Sequence, residues 1–291
     1  MASIKIIRRR IKSAQNIAQI TKAMEMVAAS KMKKAQEAAE KNRAYAQKIY
    51  EATVELAKKT DRKSNPLLSL GNPSGKTLII LISTNKGLAG GLNTNLFREV
   101  DRWFTKDKNV EFVSIGKKGQ NFIVKSGRVL VADFSDKIPF LENVPPVTQL
   151  LVGGFLQGTY KEVYVIYNAF MNALKQIPDK KQILPLETFG GNKTEGADEK
   201  IEEEKFANFT IEPSVEEVLS ALLPHYLENQ IRAAIYESEA SEHSARMIAM
   251  KNATDAAFDL SHQLTLVYNK IRQEKITYEI ADTVTARMAL E

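Results

Sequence analysis

Two stretches without a single glycine or proline, residues 3–58 and residues 225–291, constrain this chain more than any other feature. The first is rich in Ala, Lys, Gln and Glu, all strong helix formers, and predicts one uninterrupted helix of roughly 80 Å at ~1.5 Å per residue. The second predicts a helix of about 65 residues, on the order of 100 Å. Ala253, Ala257, Leu260, Leu264, Val267 and Ile271 follow the alternating spacing of four and three that marks a coiled-coil seam. Ile4, Ile7 and Ile11, then Ile17, Ile20, Met24 and Val27, repeat that alternation at the other end. Each helix therefore has its partner in the same chain, an arrangement suited to a mechanical or scaffolding part.

Between the helices the pattern changes. Ser64-Asn65-Pro66 and Gly71-Asn72-Pro73-Ser74-Gly75 read as a loop that opens a new domain. Thr77 to Thr84, Val110 to Ile115, Arg128 to Asp133, Glu162 to Tyr167 and Gln182 to Glu187 read as strands, alternating with helices near 92–106, 117–126 and 147–158. That order implies a mainly parallel sheet with helices on its faces. The expected fold is thus a long antiparallel coiled coil of the terminal helices, residues 1–60 and 213–291, carrying an inserted α/β domain over 76–190. Residues 191–212 make an acidic loop, with Glu195, Asp198, Glu199 and Glu202 to Glu204. Ser214, with Glu217 three residues on, is a candidate N-cap of the last helical region, and Pro224 is expected to kink or restart it.

Composition excludes several chemistries. No cysteine is present, which removes thiol nucleophiles, thiolate metal sites and disulfides together. His225, His243 and His262 have no ligand spacing, so neither metal nor cofactor is expected. The longest apolar runs fall far short of the ~18 residues of a membrane span, so membrane association is expected only through partners. The net charge of +6 hides an asymmetry, because residues 1–50 carry twelve Lys or Arg against three Glu. A basic, acid-poor start also fits a mitochondrial targeting segment, but the apolar repeat continues past residue 27 and reads as permanent helix.

Two glycine-bearing strings imitate phosphate sites. Gly71 to Thr77 resembles a P-loop, yet its glycines are one residue too close and it leads into a strand rather than from a strand into a helix. Gly87-Leu88-Ala89-Gly90-Gly91-Leu92-Asn93 has the right context but lacks the dinucleotide spacing, and reads as a tight strand-to-helix crossover. No convincing active site emerges.

Four separated segments, in order, carry a family resemblance. They are Ile11-Lys12-Ser13 with Ile20 to Lys31, Thr84 to Asn95, Ser241 to Asp255, and Tyr268 to Val284 with its Ile276-Thr277-Tyr278-Glu279-Ile280. Together they resemble the γ subunit of F-type ATP synthases. The resemblance implies a non-catalytic rotor shaft inside a ring of alternating α and β subunits. Its α/β foot would lie near the ε subunit and the c-ring, and the whole would be peripheral to the cytoplasmic face of a bacterial membrane. It further implies that Arg272 and Gln273 bond a β-subunit loop, with Thr277, Glu279 and Asp282 as neighbouring coupling positions. Met24 and Arg246 match positions that transmit rotor contacts, and Arg8, Arg9, Arg10 and Lys12 would face acidic loops of the ring. Thr285-Ala286-Arg287-Met288 departs from the small residues common there, and Arg287 bears on the fit of the tip. The alternative is a coiled-coil scaffold whose α/β domain binds a ligand at the carboxyl ends of its strands. A nucleic-acid binder using the basic N-terminal helix would not account for the four ordered segments.

Overall fold

The computed structural model describes residues 4–59, 65–68, 71–105, 109–186 and 211–289. Helix α1 is Ile4–Lys59 and the last helix, α5, is Val215–Met288, both unbroken as their lack of glycine requires. Between them come β1 (Lys76–Ile82), α2 (Leu92–Trp103), β2 (Val110–Ile115), α3 (Lys117–Lys125), β3 (Val129–Asp133), α4 (Val144–Leu156), β4 (Tyr160–Phe170) and β5 (Gln176–Leu184). The sheet order is β3-β2-β1-β4-β5. All pairings are parallel except β4 with β5, which is an antiparallel hairpin.

Contacts divide the chain into two units. One comprises Met1–Ser30 with Arg246–Glu291, and the other Lys31–Ala245. In the larger unit the central strand β1 is buried on both faces, from Leu78 to Ile82, which is why it reads as a continuous apolar run rather than an alternating one. Ile79 and Leu81 pack with Leu96 and Val100 of α2 and Ile123 of α3. Leu78, Ile80 and Ile82 face a second core made by Val147 and Leu151 of α4, Ile49 and Leu56 of α1, and Leu223, Leu227 and Ile231 of α5. The terminal helices therefore serve as one covering layer of the sheet as well as pairing with each other.

Several boundaries differ from those read in the sequence. The last strand begins at Gln176 rather than Gln182 and ends at Leu184, despite Pro178 and Asp179. A proline is tolerated there because β5 is an edge strand. Helix α4 starts at Val144, three residues early, since Pro145 and Pro146 occupy a first turn whose N–H groups need no helical acceptor. Ser214 caps as expected, its Oγ accepting the Glu217 N–H at 3.2 Å. Pro224 does not restart the helix: α5 passes through it, held by the buried Leu219, Leu223 and Leu227 on either side. The acidic loop lies outside the described residues, apart from Ile211 and Glu212.

Candidate functional site

In the smaller unit, α1 and α5 pair in opposite directions. Thr254 Oγ1 donates to Thr21 Oγ1 at 2.7 Å and also reaches the Met250 carbonyl at 2.8 Å. The buried or half-buried positions of α1 include Ile4, Ile7, Ile11, Ala14, Ala18, Thr21, Met24 and Ala28, and those of α5 include Met250, Ala253, Thr254, Ala257, Ser261, Leu264, Tyr268 and Ile271. Both sets contain the coiled-coil alternation, but they match only in part the sets expected from the large apolar residues. Ala253, Ala257, Leu264 and Ile271 of α5 and Ile4, Ile7, Ile11 and Met24 of α1 are shared, whereas Leu260 and Val267 are exposed, and Thr254, Ser261 and Tyr268 take their turn in the seam. Ile17, Ile20 and Val27 are likewise exposed, at 49%, 60% and 57%. Small residues enter the seam beside the large ones because they let two backbones approach closely, and Thr21 and Thr254 can enter it because each hydroxyl also reaches a carbonyl of its own helix, Ile17 and Met250. Ile17, Ile20, Val27, Leu260 and Val267 are turned outward.

The end of α5 carries this further. Extending the Thr21–Thr254 pairing brings Ile4 opposite Ile271, so later residues of α5 have no described α1 residue facing them. Ile271 is half-buried, and every described residue from Arg272 to Ala289 is exposed. Ile276, Ile280, Val284 and Met288 lie on this stretch at four-residue intervals, exposed by 46% to 73%. Contiguous exposed apolar surface of this kind is a mark of an interaction site. Arg272, Gln273, Thr277, Glu279 and Asp282 share the same stretch and are all exposed, so the structure brings these candidate residues together on one free helix end. Glu279 accepts an ion pair from Lys275 at 3.3 Å, both more than 60% exposed, a contact worth little in water and easily exchanged for another partner. Thr277, Thr283 and Thr285 turn their hydroxyls back to carbonyls four residues earlier, at 2.7–3.0 Å. Those donors need no water when the helix is covered.

The other candidates sit elsewhere in this unit. Arg8, Arg9, Arg10 and Lys12 are exposed on α1, Met24 is half-buried, and Arg246 is buried at 9% exposure. The Thr21–Thr254 contact escaped the sequence reading, although Ala14, Thr21, Ala28 and Ala35 recur every seven residues and form a legible stripe of small side chains.

The phosphate-site look-alikes have structural explanations. Asn72 folds the first into a turn, accepting the Ser74 N–H at 3.1 Å on its side chain and the Gly75 N–H at 2.8 Å on its carbonyl. Gly71 lies so close to β4 that a Cβ there would stand 2.2 Å from the Lys161 carbonyl oxygen. In the second, Gly90 takes a positive φ of 57°, as a tight crossover requires, and Leu88 does so at 63°. Asn93 ties this turn back to β1 by donating to Thr84 Oγ1 at 2.8 Å. Beside it, the first N–H groups of α3 are taken within the domain: Lys117 by Asn85 Oδ1, Lys118 by the Thr84 carbonyl and Gly119 by Ser83 Oγ. Among the described residues no group of three or more His, Asp or Glu is arranged to hold a metal. None of the described helices is long and apolar enough to cross a membrane.

An ATP synthase family model matches residues 3–290, nearly the whole chain. The chain belongs to the ATP synthase γ family. The ATP synthase gamma chain of Roseiflexus castenholzii is 41% identical over 297 residues, covering 100% of this chain and 99% of its own. That of Opitutus terrae is 43% identical over 300 residues, with 99% of each chain covered. Among solved structures, a chain of the Tetrahymena thermophila mitochondrial ATP synthase central stalk and c-ring is similar with a TM-score of 0.56 at 26% identity, covering 80% of this chain and 99% of that one. A chain of the Euglena gracilis mitochondrial ATP synthase in rotational state 3 gives a TM-score of 0.66 at 19% identity, over 99% and 94%, which bears on the fold. The γ chain is thus a central-stalk subunit of a rotary ATP synthase, and the reading as a scaffold with a ligand-binding α/β domain is not favoured.

Proposed function

We propose that this γ chain is the non-catalytic shaft of its motor, with catalysis on β subunits that alternate with α subunits around it. Residues 1–60 and 213–291 act as the shaft, and 76–190 as a foot against the ε subunit and c-ring. The complex sits at the cytoplasmic face of a bacterial membrane, to which this chain is peripheral. The observation that carries the reading is the end of α5 from Arg272 onward, an exposed helix with an apolar stripe of Ile276, Ile280, Val284 and Met288 and no described α1 residue opposite it. Such a surface is stable only inside a sleeve.

Arg272 and Gln273 then bond carboxylates and carbonyls of a β-subunit loop, with Thr277, Glu279 and Asp282 on the following turns. Arg8, Arg9, Arg10 and Lys12 meet acidic loops of the ring. Met24 and Arg246, which lie partly or wholly inside the helix pair, hold its stiffness where β-subunit contacts are transmitted. Rotation changes which of these groups each β subunit meets, so one conformation is favoured at each catalytic site in turn.

The test is steady-state hydrolysis and proton pumping by the reconstituted complex carrying Arg272→Ala with Gln273→Ala. Each charge-assisted contact is worth about 1.5–3 kcal/mol, so turnover or pumping should change by ~tenfold or more while assembly stays normal. Wild-type turnover and pumping in the double variant would refute the assignment of these residues.

A further inference from the structure

Within the larger unit a cleft of about 460 Å³ opens between α1, the end of β4 and α5. Its walls carry Ala39 and Ala46 from α1 and Ala233 and Ala240 from α5, with the amides of Gln36 and Asn42 beside them and Phe170, at the end of β4, and Met171, just after it, closing one side. The ionisable groups on its lining are Glu40, Arg43 and Glu237, a net charge of minus one in a chain of net charge +6. Glu237 is the unusual member. Burial pushes its carboxyl above the ordinary carboxylate range, opposed by Lys181 and reinforced by Asp179, with a hydrogen bond from Tyr167 and the charge of Arg43 opposing it as well. The groups facing it are therefore Arg43 and Glu40 of α1, Tyr167 of β4, and Asp179 and Lys181 of β5. These cations leave it incompletely compensated.

We propose that this cleft binds a small amphipathic organic cation, an amine or amidine with an apolar body, whose charged head pairs with Glu237 and whose body lies on the alanine walls and Phe170. The volume supports a small molecule over the single side chain of a docked protein, since small-molecule sites occupy roughly 300–1,000 Å³. The charge supports a cation: a positive head relieves the desolvated carboxylate, whereas an anion would meet two carboxylates and one guanidinium.

The test titrates benzamidine into the full chain by calorimetry, with benzyl alcohol as the neutral comparator of similar shape. Benzamidine should bind at ~10 mM or tighter, the alcohol at least ~tenfold more weakly, and Glu237→Gln should weaken benzamidine by a similar factor. Affinity for benzamidine should rise with pH as Glu237 ionises, and this dependence should vanish in Glu237→Gln. Ala39→Leu, which fills the cleft without touching the charge, should abolish binding. No benzamidine binding by the wild-type chain, equal affinity for the alcohol, or wild-type affinity in either variant would overturn the proposal. The alcohol comparison uses the unaltered chain and so decides the question of charge even if a variant fails to fold.

Discussion

At the scale of single residues, the chain places its polar groups where packing would otherwise favour hydrocarbon. Thr21 and Thr254 bond each other across the seam, and Ser241 and Ser244 of α5 reach the carbonyls of Asn168 and Ala173 to hold the β4–β5 hairpin, at 2.8 and 2.6 Å. Tyr167 shares its hydroxyl with Asp179 and Glu237, and burial drives its ionisation well above the ordinary tyrosine range. Glu237 gives a signed prediction. Its folded-state pKa is raised above the ordinary 4.5, so the stability associated with this group is fully present below that value and is lost as pH rises through the folded pKa. Glu237→Gln removes the ionisation. The variant should melt at a higher temperature than wild type at pH 7, and the gap should close as the pH falls toward 4.5. Melting curves across that range check it, and a variant less stable than wild type at pH 7 would mean that the pairs with Lys181 and Arg43 outweigh desolvation.

At the scale of elements, the two long helices are asymmetric partners. Helix α1 spans 56 residues and α5 spans 74, and the excess of α5 includes its end. The helix from Arg272 to Ala289 has neither a seam nor a cap from another element among the described residues, so in the free chain only its own hydrogen bonds protect it. Isolated helical segments of this length are marginal in water. Amides 276–289 should therefore exchange within seconds in the free chain, far faster than the buried amides of β1, and become protected on assembly. Strong protection of those amides in the isolated chain would argue against the need for a sleeve. The edge strand β5 is guarded differently, by Pro178 and by Lys180, whose ammonium lies 5.0 Å from the Tyr164 ring centroid and 5.4 Å from that of Phe104.

At the scale of the whole molecule, the α/β domain has the sheet order of nucleotide-binding folds, but the N–H groups that open α3 at the carboxyl end of the sheet are taken within the domain. Ser83, Thr84 and Asn85 consume the leading N–H groups of α3, and Asn93 is tied to Thr84. ATP or NAD titrated into the full chain at physiological concentration should give no binding heat. Micromolar binding, lost on replacing Gly90 by a bulky residue, would revive a ligand-binding role for this domain.

The sequence by itself determined the two long helices, the strand–helix alternation, the Ser214 cap and the turn at Gly90, because each rests on local backbone chemistry: absent helix breakers, apolar period, a capping oxygen, a positive φ. The four ordered segments also carried the γ resemblance. What the tertiary structure decided was which face of each helix turns inward. Leu260, Val267, Ile17 and Ile20 have the spacing of a seam, and so do Thr254, Ser261, Ala14 and Ala18, because a helix with apolar residues on more than one side offers two stripes of equal period. Burial of the larger side chains would favour the first stripe in an isolated pair, while close approach of two backbones favours the second. The cleft beside Glu237 was equally hidden, since Arg43, Asp179 and Glu237 come from three elements far apart in the chain and meet only when β4 and β5 close against the helices.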